Sequence, residues 1–419
     1  MPASSSTLAF SRVTSLAMQR PVHAAFAWLH ANPKTIMDWQ IELTAIPAPL
    51  HGEQERARWL AARFAEAGVS SVQIDAAGNV IGVLPAAILP PESTGPVVLL
   101  SAHLDTVFPA DAPLTPRLDG DRLLAPGACD NAAGVVGMLA LIHALVRARV
   151  DLPAPLVVLG NVGEEGEGDL RGVRHFYQNN LLAGRVASHI VLDGAGTDAA
   201  VTQALGSRRF RAVVRGPGGH SYTDAGTPNP IAALATAMAA LAETALPDQP
   251  RTTLNLGTIR GGISVNSIPE SAESAVDFRS TDQNQLVRLE VVLHRAVEDA
   301  VEHWNARSRR PGSGARGQLT FHIEKIGDRP AASLPSDSPL LATLRAVDRH
   351  LSLRTDLRLG STDANLPLSI GIPAVSLGAG GDGGEAHTLH EWYAPKGREL
   401  GLKRVLLLAL AMLEWAAEQ

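Results

Sequence analysis

The sequence predicts an α/β protein: a discontinuous three-layer domain on a mainly parallel sheet, interrupted by a smaller α+β unit. Three observations carry this expectation. Apolar runs that read as buried strands, such as Val97-Val98-Leu99-Leu100, Leu156 to Leu159 and Ile190-Val191-Leu192, alternate with segments of helical spacing. These runs lead into acids or an imidazole, which lines polar chemistry along one edge of an open sheet. After Asp193 the rhythm changes to strand-helix-strand-strand-helix-strand, and from about Leu340 the first rhythm resumes.

Length and composition bound the function. At 419 residues the chain exceeds the size at which one core keeps growing, so two domains are expected. Hydrophobic residues make up 45% and aromatics only 4%, so the cores must be built from Ala, Leu and Val. A net charge of −6 offers no basic face for nucleic acid. The single cysteine, Cys129, excludes an intramolecular disulfide and fits a reducing, cytoplasmic setting. The longest apolar runs, such as Val405 to Leu413, are too short to cross a bilayer, so no membrane association is expected. Met1 to Arg20 lacks acids but has no basic start followed by a continuous apolar core; residues 1–33 read as a poorly ordered or loosely docked extension rather than a processed signal.

Taken in order, helical spacing runs from about Thr35 to Ala45 and from about Gly52 to Ala67, where Gly68 stops the second helix. Val72 to Ile74 and Val80 to Leu84 form a hairpin around Ala77-Gly78-Asn79. The next strand ends at His103, with Asp105 at i+2 on the same face. Zinc takes neutral imidazole, and a nearby carboxylate can orient the ligand; the plain alternative is a strand-end histidine followed by a turn. Pro126 to Asn131 leads into an apolar helix from about Ala132 to Arg147. Asp130 therefore sits at a helix N-terminus, where negative charge is favoured, with a simple N-cap as the alternative. Glu164 and Glu165 follow the strand Leu156 to Leu159, and adjacent carboxylates repel unless a cation lies beside them. Asp193-Gly194 ends the fourth strand, although Asp-Gly is also a common turn. Metal-type side chains at four strand or helix ends along one edge are hard to treat as independent accidents.

The inserted stretch reads as strands at Arg208 to Val214, Thr252 to Ile259, Glu273 to Ser280 and Leu319 to Glu324, with helices at Pro228 to Thr244 and Gln283 to Asn305. Ser308 to Gly317 reads as a flexible surface loop. A helix to Leu351, strands at Leu357 to Gly360 and Ala374 to Leu377, and a helix from about Gly397 to Ala417 complete the larger domain. The expected boundaries are 1–206 and 326–419 for that domain and 207–325 for the insertion. Hydrolysis by two metal ions needs a bridging carboxylate, ligands on each ion, an acid/base and donors for the developing oxyanion. His103, Asp130, Glu164, Glu165 and Asp193 supply much of this, and either His387 or His390 could complete a second ion.

The set resembles the aminoacylase, carboxypeptidase G and peptidase T family of co-catalytic zinc exopeptidases and deacylases, within peptidase clan MH. The motifs that carry the resemblance are HLDTVFP (103–109), GACDNAAGV (127–135), GEEGEG (163–168), LDG (192–194), GGHSYTDAGTPNPI (218–231), GGISVNSIPESAESAVDFRS (261–280), GSTDANLP (360–367) and AHTLHEWY (386–393). The resemblance implies a ferredoxin-like inserted lid and dimerisation domain, and two divalent ions, Zn2+ with Co2+ or Mn2+ as alternatives. By the same resemblance His103 and Asp193 hold one ion, Glu165 and His387 hold the other, and Asp130 bridges them. His387 is preferred to His390 because a small hydroxyl residue, Thr388, follows it and Glu391 stands at the family's spacing. Glu164 is then the acid/base acting on a metal-bridging water, and Asp105 orients His103 or restrains the ligands from behind. His220 resembles the lid histidine that donates to the oxyanion, with a turn histidine as the plain alternative. Asn266 and Arg279 match lid positions that recognise substrate ends, and Thr362, Asp363 and Asn365 resemble a pocket-lining loop, with helix capping as the alternative for Thr362 or Asp363. Gly380, Gly381, Gly383 and Gly384 would let backbone approach the substrate. Asp193 departs from a family position that relatives fill with Glu, and the N-terminal extension is unusually long.

The expected activity is cleavage of an amide bond in a small peptide by a metal-dependent exopeptidase. A deacylase or desuccinylase of N-acyl amino acids would use the same machinery, because specificity lies in pocket shape and lid charges. A homodimer through the lid is implied by the resemblance. A binding protein that kept the fold should have lost Glu164 or a ligand, yet all are present, and no nucleophile elbow supports a serine hydrolase.

Overall fold

In the computed structural model, which describes residues 5–85, 95–308 and 317–419, the apolar runs of the sequence become the centre of a sheet. The chain forms two units, one comprising the chain up to Ala204 with Ser333–Gln419, the other Leu205–Ala332.

The larger unit begins with helices α1 (Ser5–Ala17), α2 (Arg20–Ala31), α3 (Pro33–Thr44) and α4 (Gln54–Ala67). Strands β1 (Ser70–Ile74), β2 (Val80–Leu84), β3 (Val97–His103), β4 (Arg117–Asp119) and β5 (Arg122–Leu124) follow, then helix α5 (Ala132–Ala148), strand β6 (Leu156–Asn161) and helix α6 (Arg171–Asn179). Strands β7 (Val186–Leu192) and β8 (Ala199–Ala204) close its first part. The smaller unit contributes β9 (Gly206–Arg215), β10 (Gly219–His220), α7 (Pro230–Ala242), β11 (Thr252–Gly261), β12 (Ser267–Ile268), β13 (Ser271–Ser280), α8 (Gln283–Ser308) and β14 (Thr320–Arg329). After the short β15 (Ala332–Ser333) come α9 (Pro339–His350), β16 (Asp356–Gly360), α10 (Asn365–Ser369), β17 (Ala374–Leu377), β18 (Asp382–Gly384), β19 (Trp392–Ala394) and α11 (Arg398–Ala417).

The main sheet runs in the order β1-β2-β6-β3-β7-β17-β8, with β16 also paired to β8. Its central strands β6, β3, β7 and β17 are mutually parallel, so their C-terminal ends share one edge. All seven residues of β3 are buried, as expected of a parallel strand covered on both faces. Val97 and Leu99 meet Val173 and Phe176 of α6, while α5 and α11 also pack on β3 and β7. Asn131 caps α5 through Oδ1, which accepts from Gly134 N at 3.0 Å, and thirteen residues of α5 are buried. Truncating one of them, Leu139→Ala, removes about 2–5 kcal/mol. A second small sheet, in the order β18-β19-β5-β4, was not foreseen, because its strands have only three residues each.

The N-terminal stretch corrects the expectation of a loosely docked extension. Residues 5–31 form α1 and α2; α1 packs on α9 and α11, and α2 on α5. Val13, Val22, Ala25 and Leu29 are buried, and Arg12 pairs with Glu418. Ala and Ser between single apolar residues gave little amphipathic signal, and tertiary burial supplies what propensity lacks. The predicted surface loop at 308–317 falls mostly on 309–316, outside the described residues.

In the smaller unit the sheet order is β11-β13-β9-β14, antiparallel throughout. Alternation gives it one apolar face: Phe210, Ala212 and Val214 of β9 and Ala272, Val276 and Phe278 of β13 join Leu234 of α7 and Leu289 and Leu293 of α8 in one core. Arg209, Arg211, Asp277 and Arg279 stand on the other face. Among the described residues no helix is long and apolar enough to cross a membrane.

Candidate metal centre

Parallel strands that end at one edge deliver side chains to one place. His103 ends β3, Glu164 and Glu165 lie in the turn after β6, and Asp193 follows β7. Asp130 precedes α5, and Asn131 fixes it relative to β7 by donating through Nδ2 to Leu192 O at 2.9 Å and accepting from Gly194 N at 3.1 Å. His387 arrives from the loop after β18 with φ of +65°, a left-handed conformation that costs a non-glycine residue on the order of 1 kcal/mol and concentrates at functional sites.

These side chains form three overlapping triads: His103, Asp130 and Asp193; Asp130, Glu165 and His387; and His103, Glu164 and Glu165. His103 Nε2 lies 3.1 Å from Asp130 Oδ1 and 3.8 Å from Asp193 Oδ1. His387 Nε2 lies 3.1 Å from Asp130 Oδ2 and 2.8 Å from Glu165 Oε1. Ligands about 2.1 Å from a tetrahedral ion stand roughly 3.4 Å from each other, so these separations fit the donors of two small cations with Asp130 turned to both. His103 Nδ1 donates to the Asp105 carbonyl at 3.1 Å, which leaves Nε2 as the ligand atom. The structure brings in His387; His390 belongs to none of the triads.

Two further carboxylates hold the turns. Asp105 is fully buried and accepts from Glu164 N at 3.0 Å and Glu165 N at 2.8 Å. Its Oδ1 is 3.7 Å from His103 Nδ1, so Asp105 orients the histidine through its backbone and spends its carboxylate on the glutamate turn. Glu391, also buried, accepts from Gly127 N, Cys129 N and Asp130 N at 2.8, 2.8 and 2.7 Å. Gln40 Nε2 donates to Ala128 O at 2.6 Å, while Gln40 Oε1 accepts from Arg398 Nη2, and Arg398 Nε donates to Tyr393 Oη at 2.7 Å.

The electrostatics favour positive charge here. Burial pulls the His103 imidazole down, but Asp105, Asp130 and Asp193 outweigh it and raise the group well above its ordinary value. Asp130, against partial burial and with help from Glu165, pushes His387 up to about 9. Asp130 is buried too, yet the two imidazoles hold it far below the usual carboxylate range. Burial raises Glu165, with the neighbouring Asp130 and Asp105 adding to it against the two histidines. Carboxylates that raise both imidazoles create a field that attracts divalent cations.

Residues 99–411 match Peptidase family M20/M25/M40. The chain belongs to that family. It is 32% identical over 254 residues, 56% of its own length and 54% of the relative's, to a probable carboxypeptidase of Neosartorya fischeri. The chain thus spans about half the length of the curated relatives it matches. Among solved structures, aminopeptidase PepT from Bacillus cereus superposes with a TM-score of 0.69 at 20% identity over 91% of this chain and 99% of that one. An M20 family metallo-carboxypeptidase from Sulfolobus solfataricus gives 0.67 at 18% identity, over 90% and 99%. These likenesses share the α/β fold with its inserted unit.

Within this M20 chain the remaining predicted residues are placed as follows. Glu164 is buried beside the ligands. Asp363 and Asn365 are fully buried and Thr362 nearly so: Asn365 Oδ1 accepts from Thr362 N, Thr362 Oγ1 from Ala364 N, and Asp363 Oδ2 from Asn161 Nδ2 at 2.7 Å. Burial pushes Asp363 up to about 7. Thr362 and Asn365 brace their own loop, and Asp363 ties it to Asn161 at the end of β6. The glycines after β17 pack tightly against protein: a Cβ at Gly381 would lie 2.2 Å from Tyr393 Oη and one at Gly383 2.5 Å from Cys129 Sγ.

In the smaller unit, β10 pairs with β12, and Ser221 N donates to Asn266 O at 3.0 Å, so His220 and Asn266 are neighbours. His220 Nδ1 accepts from Tyr222 N at 3.2 Å, leaving its proton on Nε2, on an exposed ring. Arg279 lies near the other end of β13 and bonds Asp277 at 2.7 Å. The role of Glu391 was missed: its spacing from His387 marked a register, and nothing local announces a carboxylate that serves amides 261 to 264 residues away.

Proposed function

We propose that the protein is a di-metal exopeptidase that removes a terminal residue from a small peptide, of the carboxypeptidase type that its curated relatives are named for. The observation that carries this is Asp130, one oxygen toward the His103–Asp193 pair and the other toward Glu165–His387. The donors fit two divalent ions, with nitrogen and carboxylate ligands suited to Zn2+ and compatible with Co2+ or Mn2+. Bound there, the ions would polarise the scissile carbonyl and acidify the attacking water. Glu164 takes a proton from that water and returns it to the leaving amine. Asp105 keeps the Glu164 turn in place through its two amide bonds. His220 Nε2–H is the donor for the developing oxyanion.

Asn266 and Arg279 are assigned to the polar ends of the substrate. Strand β13 spans about 27 Å from Ser271 to Arg279, so one copy of the smaller unit offers His220 and Asn266 at one end and Arg279 at the other. This supports a homodimer in which two copies contribute different ends. Thr362, Asp363 and Asn365 are assigned to the loop that lines the substrate pocket, which their hydrogen bonds keep in shape. The single cysteine supports a cytoplasmic protein.

The test is a panel of dipeptides, tripeptides and N-acyl amino acids, assayed with zinc, cobalt and manganese. Release of C-terminal residues from peptides is expected. Turnover confined to N-acyl amino acids would make it a deacylase, and protein that stays metal-free after zinc incubation would leave a binding protein.

A further inference from the structure

Arg56 on α4 is 1% exposed, among the most deeply buried charged side chains described, and the chemistry above makes no use of it. Its Nε donates to Ile46 O at 2.8 Å and its Nη1 to Leu104 O at 3.0 Å, the carbonyl between His103 and Asp105. Its Nη2 is buried with no hydrogen-bond partner. That nitrogen lies against the Asp130 turn, 3.6 Å from where a Cβ on Gly127 would be, and Gly127 N is one of the amides that Glu391 accepts.

We propose that Arg56 is a positioning residue for the metal centre, its fixed positive charge holding the Asp105 and Glu391 carboxylates to the rear of the two turns that aim Glu164, Glu165 and Asp130. The inference rests on the di-metal reading. Each of these carboxylates sits a turn away from a cluster that attracts cations. A carboxylate that swung toward the ions would release two or three backbone amides and displace the ligands they carry. A permanent charge behind them opposes that swing. It also explains why a guanidinium, costly to bury, stands where two neutral donors would satisfy both carbonyls. Burial lowers Arg56 to about 10, opposed by Asp105 and Glu391, so it remains charged at neutral pH.

The experiment is cobalt titration of the full-length chain, followed by visible absorption and by metal content per chain, with thermal melts alongside. Arg56→Gln keeps donors without charge, and Arg56→Lys keeps charge without the fork. Arg56→Gln is expected to weaken cobalt binding about 10–100-fold and alter the absorption band, with Arg56→Lys restoring affinity to within about threefold of the parent. Equal cobalt affinity in Arg56→Gln and parent, or an Arg56→Lys chain as weak as Arg56→Gln, overturns the inference. So does an Arg56→Gln chain that does not fold, which would assign the charge to the fold itself. A parent chain that takes up no cobalt overturns the di-metal reading and this inference with it.

Discussion

Two glycine-containing turns carry candidate functional side chains, and each is held by a carboxylate. In the turn before α5, Glu391 reaches back across more than 260 residues to take three amides, and the arrangement is buried. In the turn around His220, Asp224 takes the His220 amide, four residues away, at 2.8 Å, and the histidine is exposed. The difference follows from the tasks assigned to the two turns. Ligand atoms must already stand at the right separations before an ion arrives, so their turn is fixed by the whole fold. A side chain that meets substrate can be held locally and adjust on contact.

The comparison can be tested by separating turnover from metal binding. The largest effect is expected for Glu164→Gln, which should lower kcat about 10²–10⁴-fold while metal content per chain stays that of the parent. His220→Ala should lower kcat about 10²–10³-fold and leave cobalt affinity unchanged; a loss of metal there would erase the contrast between the turns. His387, pushed up to about 9, must lose its proton before it can bind metal, and the His103 imidazole is raised in the same direction. Affinity should therefore rise with pH around neutrality, and calorimetry in two buffers should detect net proton release on metal binding. Glu391→Gln should weaken metal binding about 10–100-fold, read by equilibrium dialysis. Asp224→Asn, removing the charge of a local, half-buried clamp, should change stability by less than about 1 kcal/mol in denaturant melts.

What the sequence made legible is what is periodic or local. Continuous apolar runs announced β3, β6 and β7, and their shared polar endings announced the edge where His103, Glu165 and Asp193 meet. The alternation of Phe210, Ala212 and Val214 announced the second core. Long-range polar contacts left no such trace: the Glu391 amides, the Asp105 carboxylate turned to the glutamates and the buried Arg56 are pairings made only by the fold. The resemblance placed Thr362, Asp363 and Asn365 on a pocket-lining loop, but not the bonds within it, where Thr362 and Asn365 satisfy their own turn as short polar side chains can. Helices α1 and α2 were missed because their stability comes from the surfaces they cover.

The reach of Glu391 also sets an order of events on the ribosome. At roughly 5–20 residues per second, the 261 residues between Asp130 and Glu391 take about 13–50 s to translate. Throughout that interval the nascent Asp130 turn lacks its clamp and His387 does not yet exist. The triad of Asp130, Glu165 and His387 is therefore completed long after the triad of His103, Asp130 and Asp193, whose members all lie in the first part of the chain.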